Sequence, residues 1–275
     1  MIRFLFLFLA MTMAGEAFAQ SSGVPPELMN NTRRQNGEAI NVCLDKSGTS
    51  RAFDRDVAQA IGDALFLKVN FTEGFGGFPI DGAGFMDELL LAMNNKCDVF
   101  MGITVQTNSP FPDSVAVSRP YATMPFVMAV TDPNWQKLSD IPRDRMLGTS
   151  MQSLGELVYI TWSLQQPKDQ RWRRLPYADP KLMLKRVEDG RLGGMLIWQP
   201  TLAQVLSEDP SITNLRLIPT DPVPAASIKV GALVSSNDSF LRDQIDKTID
   251  ALVQDGTIDA LMKKHGYTGV AGEQE

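Results

Sequence analysis

The residue types that usually carry enzyme chemistry are scarce in this 275-residue chain. His265 is the only histidine, so a zinc site of His and Cys ligands lacks residues, and a Ser–His–Asp triad would depend on that one side chain. The nucleophile motif G-x-S-x-G and the P-loop motif are both absent from the sequence. The glycine-rich segment GFGGFPIDGAG (residues 74–84) does not match G-x-G-x-x-G and follows the second predicted strand instead of the first. We therefore expect binding rather than catalysis, with no metal and no resident cofactor.

One uncharged segment has the character of a ligand loop. Residues 101–121, MGITVQTNSPFPDSVAVSRPY, begin like the end of a buried strand and continue as a loop of small polar residues. No charged side chain occurs between Met101 and Pro112. Because loops at the carboxyl ends of strands hold ligands in many α/β proteins, we take Thr104 and Ser109 as candidate ligand contacts.

The N-terminus has the pattern of a secretory signal peptide. Arg3 is followed by the apolar run FLFLFLAMTMAG and then by AFA, which predicts cleavage before Gln20. A membrane anchor is the alternative, but a run of about a dozen residues at ~1.5 Å each is too short for a bilayer core of ~30 Å. We expect a periplasmic protein. Its net charge of −6 and scattered basic residues, apart from RWRR at 171–174, argue against nucleic acid as a partner.

Cys43 and Cys97 are the only two cysteines. Cys43 lies in the strand-like INVCLD and Cys97 precedes the strand-like DVFMGIT, so the two strand starts could be neighbours in a parallel sheet. An exported protein meets an oxidising compartment, where two thiols tend to pair. We expect a disulfide; the alternative is two separately buried thiols.

Strands and helices alternate along most of the chain. Residues 39–105 follow the order βαβαβ, and a second α/β block spans about 127–225. A further strand, SIKVGALVS, then precedes one long and one short helix. The pattern predicts an α/β protein with open, mostly parallel sheets.

Several segments, taken in order, resemble the periplasmic solute-binding proteins of the amino-acid-binding type (family 3). They include FDRDVAQAIGDALFLKVNF, DELLLAMNNKCDVFMGIT, DRMLGTSMQSLGE and DSFLRDQIDKTIDALVQDGTIDALMKKHGY. The resemblance implies a two-lobe periplasmic binding protein fold of type II, with crossover strands near 123–130 and 227–234 and a ligand cleft between the lobes. The expected division is signal peptide 1–19, loose arm 20–38, lobe 1 at 39–126 plus 226–268, lobe 2 at 127–225, and tail 269–275.

The chain departs from amino-acid binders at both ionic contacts that such proteins make with their ligand. In those proteins a loop reading T-P-E-R supplies an Arg for the ligand carboxylate; here the loop reads QTNSP, with Ser109 near that place. An Asp that pairs with the ligand ammonium is replaced in GGMLIWQP by Trp198 and Gln199. Because a bidentate Arg–carboxylate contact is strong and Ser cannot replace it, the resemblance implies a cleft not built for free amino acids.

A subgroup of the family fits better, namely the binding-protein-like accessory proteins found with quinoprotein dehydrogenases. The segments CLD, KCDV, SRPY and LIWQP carry this resemblance. It implies that the protein binds methanol dehydrogenase during assembly or activation, or handles its cofactor pyrroloquinoline quinone (PQQ). Two alternatives stay open: a transporter receptor for a small neutral or aromatic solute, and a dehydratase-like enzyme, which would need a positioned acid and base.

The remaining candidates each have two interpretations. Trp198 either lines the cleft or belongs to the core, and Arg119 either reaches the cleft or pairs with an acid on the surface. Tyr121 is expected to flank the cleft. Phe75 and Phe78 form either a partner-binding patch or part of a lid or core.

Overall fold

The structure is a computed structural model that describes residues 37–75, 83–106, 108 and 110–273. The signal peptide, Phe78 and Ser109 lie outside the described residues, as does the side chain of Phe75. The helices of the described part, in chain order, are α1 (Arg51–Ala64), α2 (Ala83–Asn95), α3 (Leu154–Leu164), α4 (Pro180–Glu188), α5 (Gln199–Glu208), α6 (Ser239–Gln254) and α7 (Thr257–Lys264). The strands are β1 (Ala39–Asp45), β2 (Lys68–Phe75), β3 (Val99–Thr104), β4 (Val115–Val117), β5 (Ala122–Val130), β6 (Met146–Ser150), β7 (Arg173–Tyr177), β8 (Gly194–Trp198), β9 (Arg216–Ile218), β10 (Ser227–Ser235) and β11 (Val270–Ala271).

Local sequence explains why these elements begin and end where they do, and α4 is the clearest case. Asp179 caps its N-terminus by accepting hydrogen bonds from the backbone N–H groups of Lys181 and Leu182. Pro180 occupies the first turn, where the missing N–H is tolerated. Gly190 follows the helix with φ of +72°, a conformation that L side chains rarely adopt.

Strand β5 joins two sheets. The strand order is β2-β1-β3-β10-β5-β8-β6-β7, with β1 parallel to both of its neighbours. The first half of β5 pairs with β10, and its second half, from Phe126, pairs with β8. Each sheet is covered by helices, so the chain forms two α/β lobes that share this strand.

Each lobe has its own apolar core. In the first lobe, Val57 and Ile61 of α1 pack with Val42 of β1, at the helical spacing expected from the sequence. In the second lobe, Leu147 of β6 and Leu196 of β8 pack with Tyr159 of α3. Among the described residues, no helix is long and apolar enough to cross a membrane.

The predicted disulfide is confirmed. Cys43 and Cys97 are bonded, their Cα atoms are 5.7 Å apart, and both are fully buried beside Phe85 and Phe100. The bond closes a loop of 54 residues, which in the chain-entropy model stabilises the fold by about 4 kcal/mol.

Candidate functional site

A cleft of about 970 Å³ opens between the two lobes. Its first wall is formed by residues 104–106 at the end of β3 and by residues 227–229 of β10. The second lobe contributes residues 150–154, Tyr177 to Pro180, and Trp198 with Thr201. The predicted candidate Thr104 therefore lies in the cleft wall.

The turn from the end of β6 to the start of α3, residues 150–154, is held in place by Glu156 and Ser153. Glu156 accepts hydrogen bonds from Thr149 Oγ1 (2.7 Å) and from the N–H of Gln152 (2.7 Å), and it forms an ion pair with Arg174. Ser153 caps α3 by accepting a hydrogen bond from the N–H of Glu156. This buried network fixes the cleft-facing loop before any ligand arrives.

Trp198 lies at the end of β8, where its ring lines the cleft. Its indole Nε1–H donates to the carbonyl of Met124 at 3.2 Å. The same ring packs against apolar residues of both lobes. The sequence left two interpretations of Trp198 open, cleft lining and core. Both apply, since the ring is partly buried and also faces the cleft.

The expectation that Tyr121 flanks the cleft is wrong. Its side chain is 0% exposed; its hydroxyl donates to Asp54 Oδ1 at 2.7 Å and accepts from the N–H of Gly102 at 3.0 Å. Gly102 has φ of +81°, and a Cβ there would lie 2.7 Å from Asp54 Oδ2. Tyr121 and Asp54 therefore position the end of β3, two residues before Thr104.

Asp54 was not identified from the sequence, although it is the most perturbed carboxyl group described. Burial raises its pKa from 3.8 to about 7, against the opposing hydrogen bonds from Tyr121 and Ser50. Its partner Tyr121 lies 67 residues away, and no local pattern links the two. Their meeting depends on the packing of α1 against β3 and on the course of the chain just before β5.

Arg119 and Gln199 also lie outside the cleft wall. Arg119 forms an ion pair with Asp250 at 3.0 Å on the surface, and its side chain is 64% exposed, which matches the surface alternative. Gln199 is 4% exposed. Its Nε2 donates to the carbonyl of Gly266, and its Oε1 accepts from the N–H of Thr268, so it ties α5 to the C-terminal segment.

Two charged side chains face the cleft among the described residues, and they neutralise each other. Lys229 of β10 and Glu273 of the tail form an ion pair. The hydrogen bond with Lys229 and the positive charge of Lys229 lower the pKa of Glu273. Within the described part of the chain, no group of three or more His, Cys, Asp or Glu side chains is placed to hold a metal ion. The geometry suits a ligand bound mainly by apolar contact, with few polar contacts.

Comparison with known sequences identifies the family. The profile of the bacterial extracellular solute-binding proteins, family 3, matches residues 36–268. The chain belongs to this family. No curated protein is significantly similar in sequence.

Solved structures support the same fold. The open second substrate-binding domain of GlnP from Lactococcus lactis is 12% identical, with a TM-score of 0.64; the match covers 84% of this chain and 97% of that chain. The unliganded, open L-cystine solute receptor of Neisseria gonorrhoeae is 19% identical, with a TM-score of 0.63 and coverage of 92% and 100%. A second substrate-binding domain of a putative amino acid ABC transporter from Streptococcus pneumoniae is 14% identical, with a TM-score of 0.60 and coverage of 82% and 99%. The predicted two-lobe periplasmic binding protein fold is confirmed.

Proposed function

We propose that the protein is a periplasmic receptor that captures a small neutral or aromatic solute in its interlobe cleft and presents it to an ABC transporter. Family membership and the transporter domains among its structural neighbours support a solute-binding role. The observation that carries the choice of solute is the cleft wall, where Trp198, Phe126 and Tyr177 lie and the two described charges are already paired.

The same wall argues against a free amino acid as the ligand. A zwitterion brings two charges, and a buried charge without a partner costs several kcal/mol. Among the described cleft residues, Lys229 can pair with the ligand carboxylate, but the ammonium finds only Glu273, which is 61% exposed and therefore a weak partner. An ammonium buried with so weak a partner costs several kcal/mol of the about 8 kcal/mol that micromolar affinity requires.

Calorimetric titration tests the proposal with the twenty standard amino acids and a panel of neutral and aromatic solutes. We expect no heat with the amino acids and micromolar binding of at least one panel member. Trp198→Ala should weaken that binding about tenfold or more, since an aromatic contact removed from a site commonly costs ~2 kcal/mol. Phe240→Ala is the matched control, because Phe240 is 74% exposed on α6 and away from the cleft wall. A micromolar amino acid, or binding that Trp198→Ala leaves unchanged, would refute the proposal.

A second candidate function is that of an accessory protein for methanol dehydrogenase. The short segments CLD, KCDV, SRPY and LIWQP support it by their resemblance to the J protein of methanol dehydrogenase operons, MoxJ. A structural observation favours a protein partner: the exposed face of α3 carries no charge. This face, which we call the α3 stripe, consists of Leu154, Leu157, Thr161 and Leu164.

The α3 stripe has the spacing and exposure of a contact surface. Its members recur every three or four residues, so they lie on one side of the helix. Leu157 and Leu164 are 59% and 67% exposed. Met151, 48% exposed, extends the stripe to the cleft. At the other end, Arg171 donates to the carbonyl of Leu164 and places the basic RWRR segment beside the stripe. Contiguous apolar surface of this kind marks interaction sites.

Two experiments separate the candidates. In a binding assay with purified methanol dehydrogenase, Leu157→Ser together with Leu164→Ser should weaken association at least tenfold, while Phe240→Ser should not. Deletion of the gene then tests the role in cells. Fully active, PQQ-loaded methanol dehydrogenase in the deletion strain would refute the accessory function, and impaired uptake of a solute would support the receptor.

A further inference from the structure

Residues 270–273, near the C-terminus, are held beside the cleft. Strand β11 pairs with Ala122 and Thr123 of β5, the strand that joins the two lobes. Thr123 Oγ1 donates to the carbonyl of Gly272 at 2.8 Å, and the N–H of Gly272 donates to the carbonyl of Tyr121 at 2.8 Å. These contacts bring the next residue, Glu273, to the cleft wall.

Glycine makes this close approach possible. Gly269 has φ of +133°, and a Cβ at that position would lie 2.3 Å from the carbonyl oxygen of Thr123. Only a residue without a side chain fits so near the backbone of β5. The path of the tail is therefore specified, and it holds Glu273 at a high effective concentration near Lys229.

Lys229 is well placed to hold an anionic group. It lies on β10 opposite Thr123 of β5. Its carbonyl accepts a hydrogen bond from the N–H of Val105 at 2.8 Å, which ties it to the cleft loop after β3. Its side chain is 36% exposed, and the aromatic rings of Phe126, Tyr177 and Trp198 line the same cleft. One cation beside several rings suits an aromatic compound with one carboxylate.

We propose that Lys229 binds the single carboxylate of an aromatic ligand, and that Glu273 is a tethered competitor that occupies Lys229 when the cleft is empty. This inference rests on the proposed receptor function and names its ligand class.

The competition is expected to be modest. Exposed ion pairs between flexible side chains contribute little in water and are screened by salt. Removing the negative charge of Glu273 by substitution should therefore raise the affinity for an aromatic carboxylate about two- to fivefold, the range expected of such a pair. Loss of Lys229, which removes the charged hydrogen bond itself, should lower the affinity about tenfold or more.

Three probes that share one carbon skeleton test the inference by calorimetry: 3-phenylpropanoate, its neutral amide, and the zwitterion phenylalanine. For 3-phenylpropanoate, affinity should rise in the order wild type, Glu273→Gln, Glu273→Lys, and the differences should shrink in ~1 M salt. Lys229→Met should abolish the advantage of the carboxylate over the amide. Because the amide carries no charge, each substitution should change its affinity much less than it changes the affinity for the carboxylate, and a circular dichroism spectrum of each variant reports that it is folded.

Each other outcome contradicts the inference in a distinguishable way. Amide binding with no effect of either residue on the carboxylate would overturn the roles of Lys229 and Glu273 and leave the receptor function standing. Phenylalanine binding that Glu273→Gln weakens would show that Glu273 is a ligand contact instead of a competitor. If none of the probes binds any variant, the aromatic ligand class and the inference fail together.

Discussion

Replacement of Asp54 by asparagine is expected to remove a pH dependence of stability that this one carboxyl group imposes. Asp54 is 3% exposed and accepts hydrogen bonds from Tyr121 (2.7 Å) and Ser50 Oγ (2.9 Å). An asparagine has nearly the same shape. Its oxygen can accept from Tyr121, and its amide can donate to Ser50 Oγ. The variant therefore keeps both contacts but has no charge to ionise.

The magnitude follows from the pKa of Asp54. Burial raises the pKa of Asp54 in the folded protein to about 7, against 3.8 for the water-exposed carboxyl group of the unfolded chain, so the folded state binds more protons between those two pH values. The free energy of unfolding must then fall as pH rises through that window and level off above it. Between pH 5 and pH 7 the span is about two units, and at about 1.4 kcal/mol per unit the loss is roughly 3 kcal/mol.

Urea unfolding followed by tryptophan fluorescence at pH 5, 6, 7 and 8 measures this loss. The wild type should lose roughly 3 kcal/mol more than Asp54→Asn across the series. Asp255→Asn is the control. Hydrogen bonds with Thr257 lower the pKa of Asp255, so its carboxylate stays ionised from pH 5 to pH 8. Its contribution to the free energy of unfolding is therefore constant across the series. Parallel wild-type and Asp54→Asn curves would show that the Asp54 carboxylate is not destabilised by burial.

Two further predictions concern the framework of the two lobes. Replacing Cys43 and Cys97 together by alanine should lower the free energy of unfolding by about 4 kcal/mol, measured by urea titration; equal stability with and without the bond would contradict the loop-closure argument. Gly155→Ala places a Cβ 2.4 Å from Phe126 Cδ1 and should destabilise by ~1–3 kcal/mol through overpacking. Leu157→Ala, on the exposed face of the same helix, should change stability by less than ~0.5 kcal/mol, and a thermal melt compares the two variants.

The longer elements could be predicted because each has a periodic apolar face. Val57 and Ile61 of α1 have the helical spacing of such a face. Strand β3 was recognisable in another way, because it is a short and almost continuous apolar run. Strand β7 could not be predicted: it contains Arg173, Arg174 and Pro176, and among the described strands it pairs with β6 alone, at the edge of the sheet. Strand β11 has two residues, too few for any period.

The candidate site was predictable where it depends on strand ends and not where it depends on distant contacts. Thr104 and Trp198 end buried strands, and strand ends meet at a cleft in this kind of fold. Tyr121 also follows a strand, but its bond to Asp54 turns it into the core. Glu273 reaches the cleft only because the tail pairs with β5, which no local pattern of the sequence specifies.

Native mass spectrometry of protein purified gently from the cells that make it tests the central claim most directly. Thr201 lies in the cleft wall, so Thr201→Trp, prepared in the same way, fills the site. The receptor function predicts that the wild type retains one neutral or aromatic small molecule at 1:1 stoichiometry and that Thr201→Trp does not. Retention of a free amino acid by the wild type, or equal retention of any solute by both proteins, would contradict it.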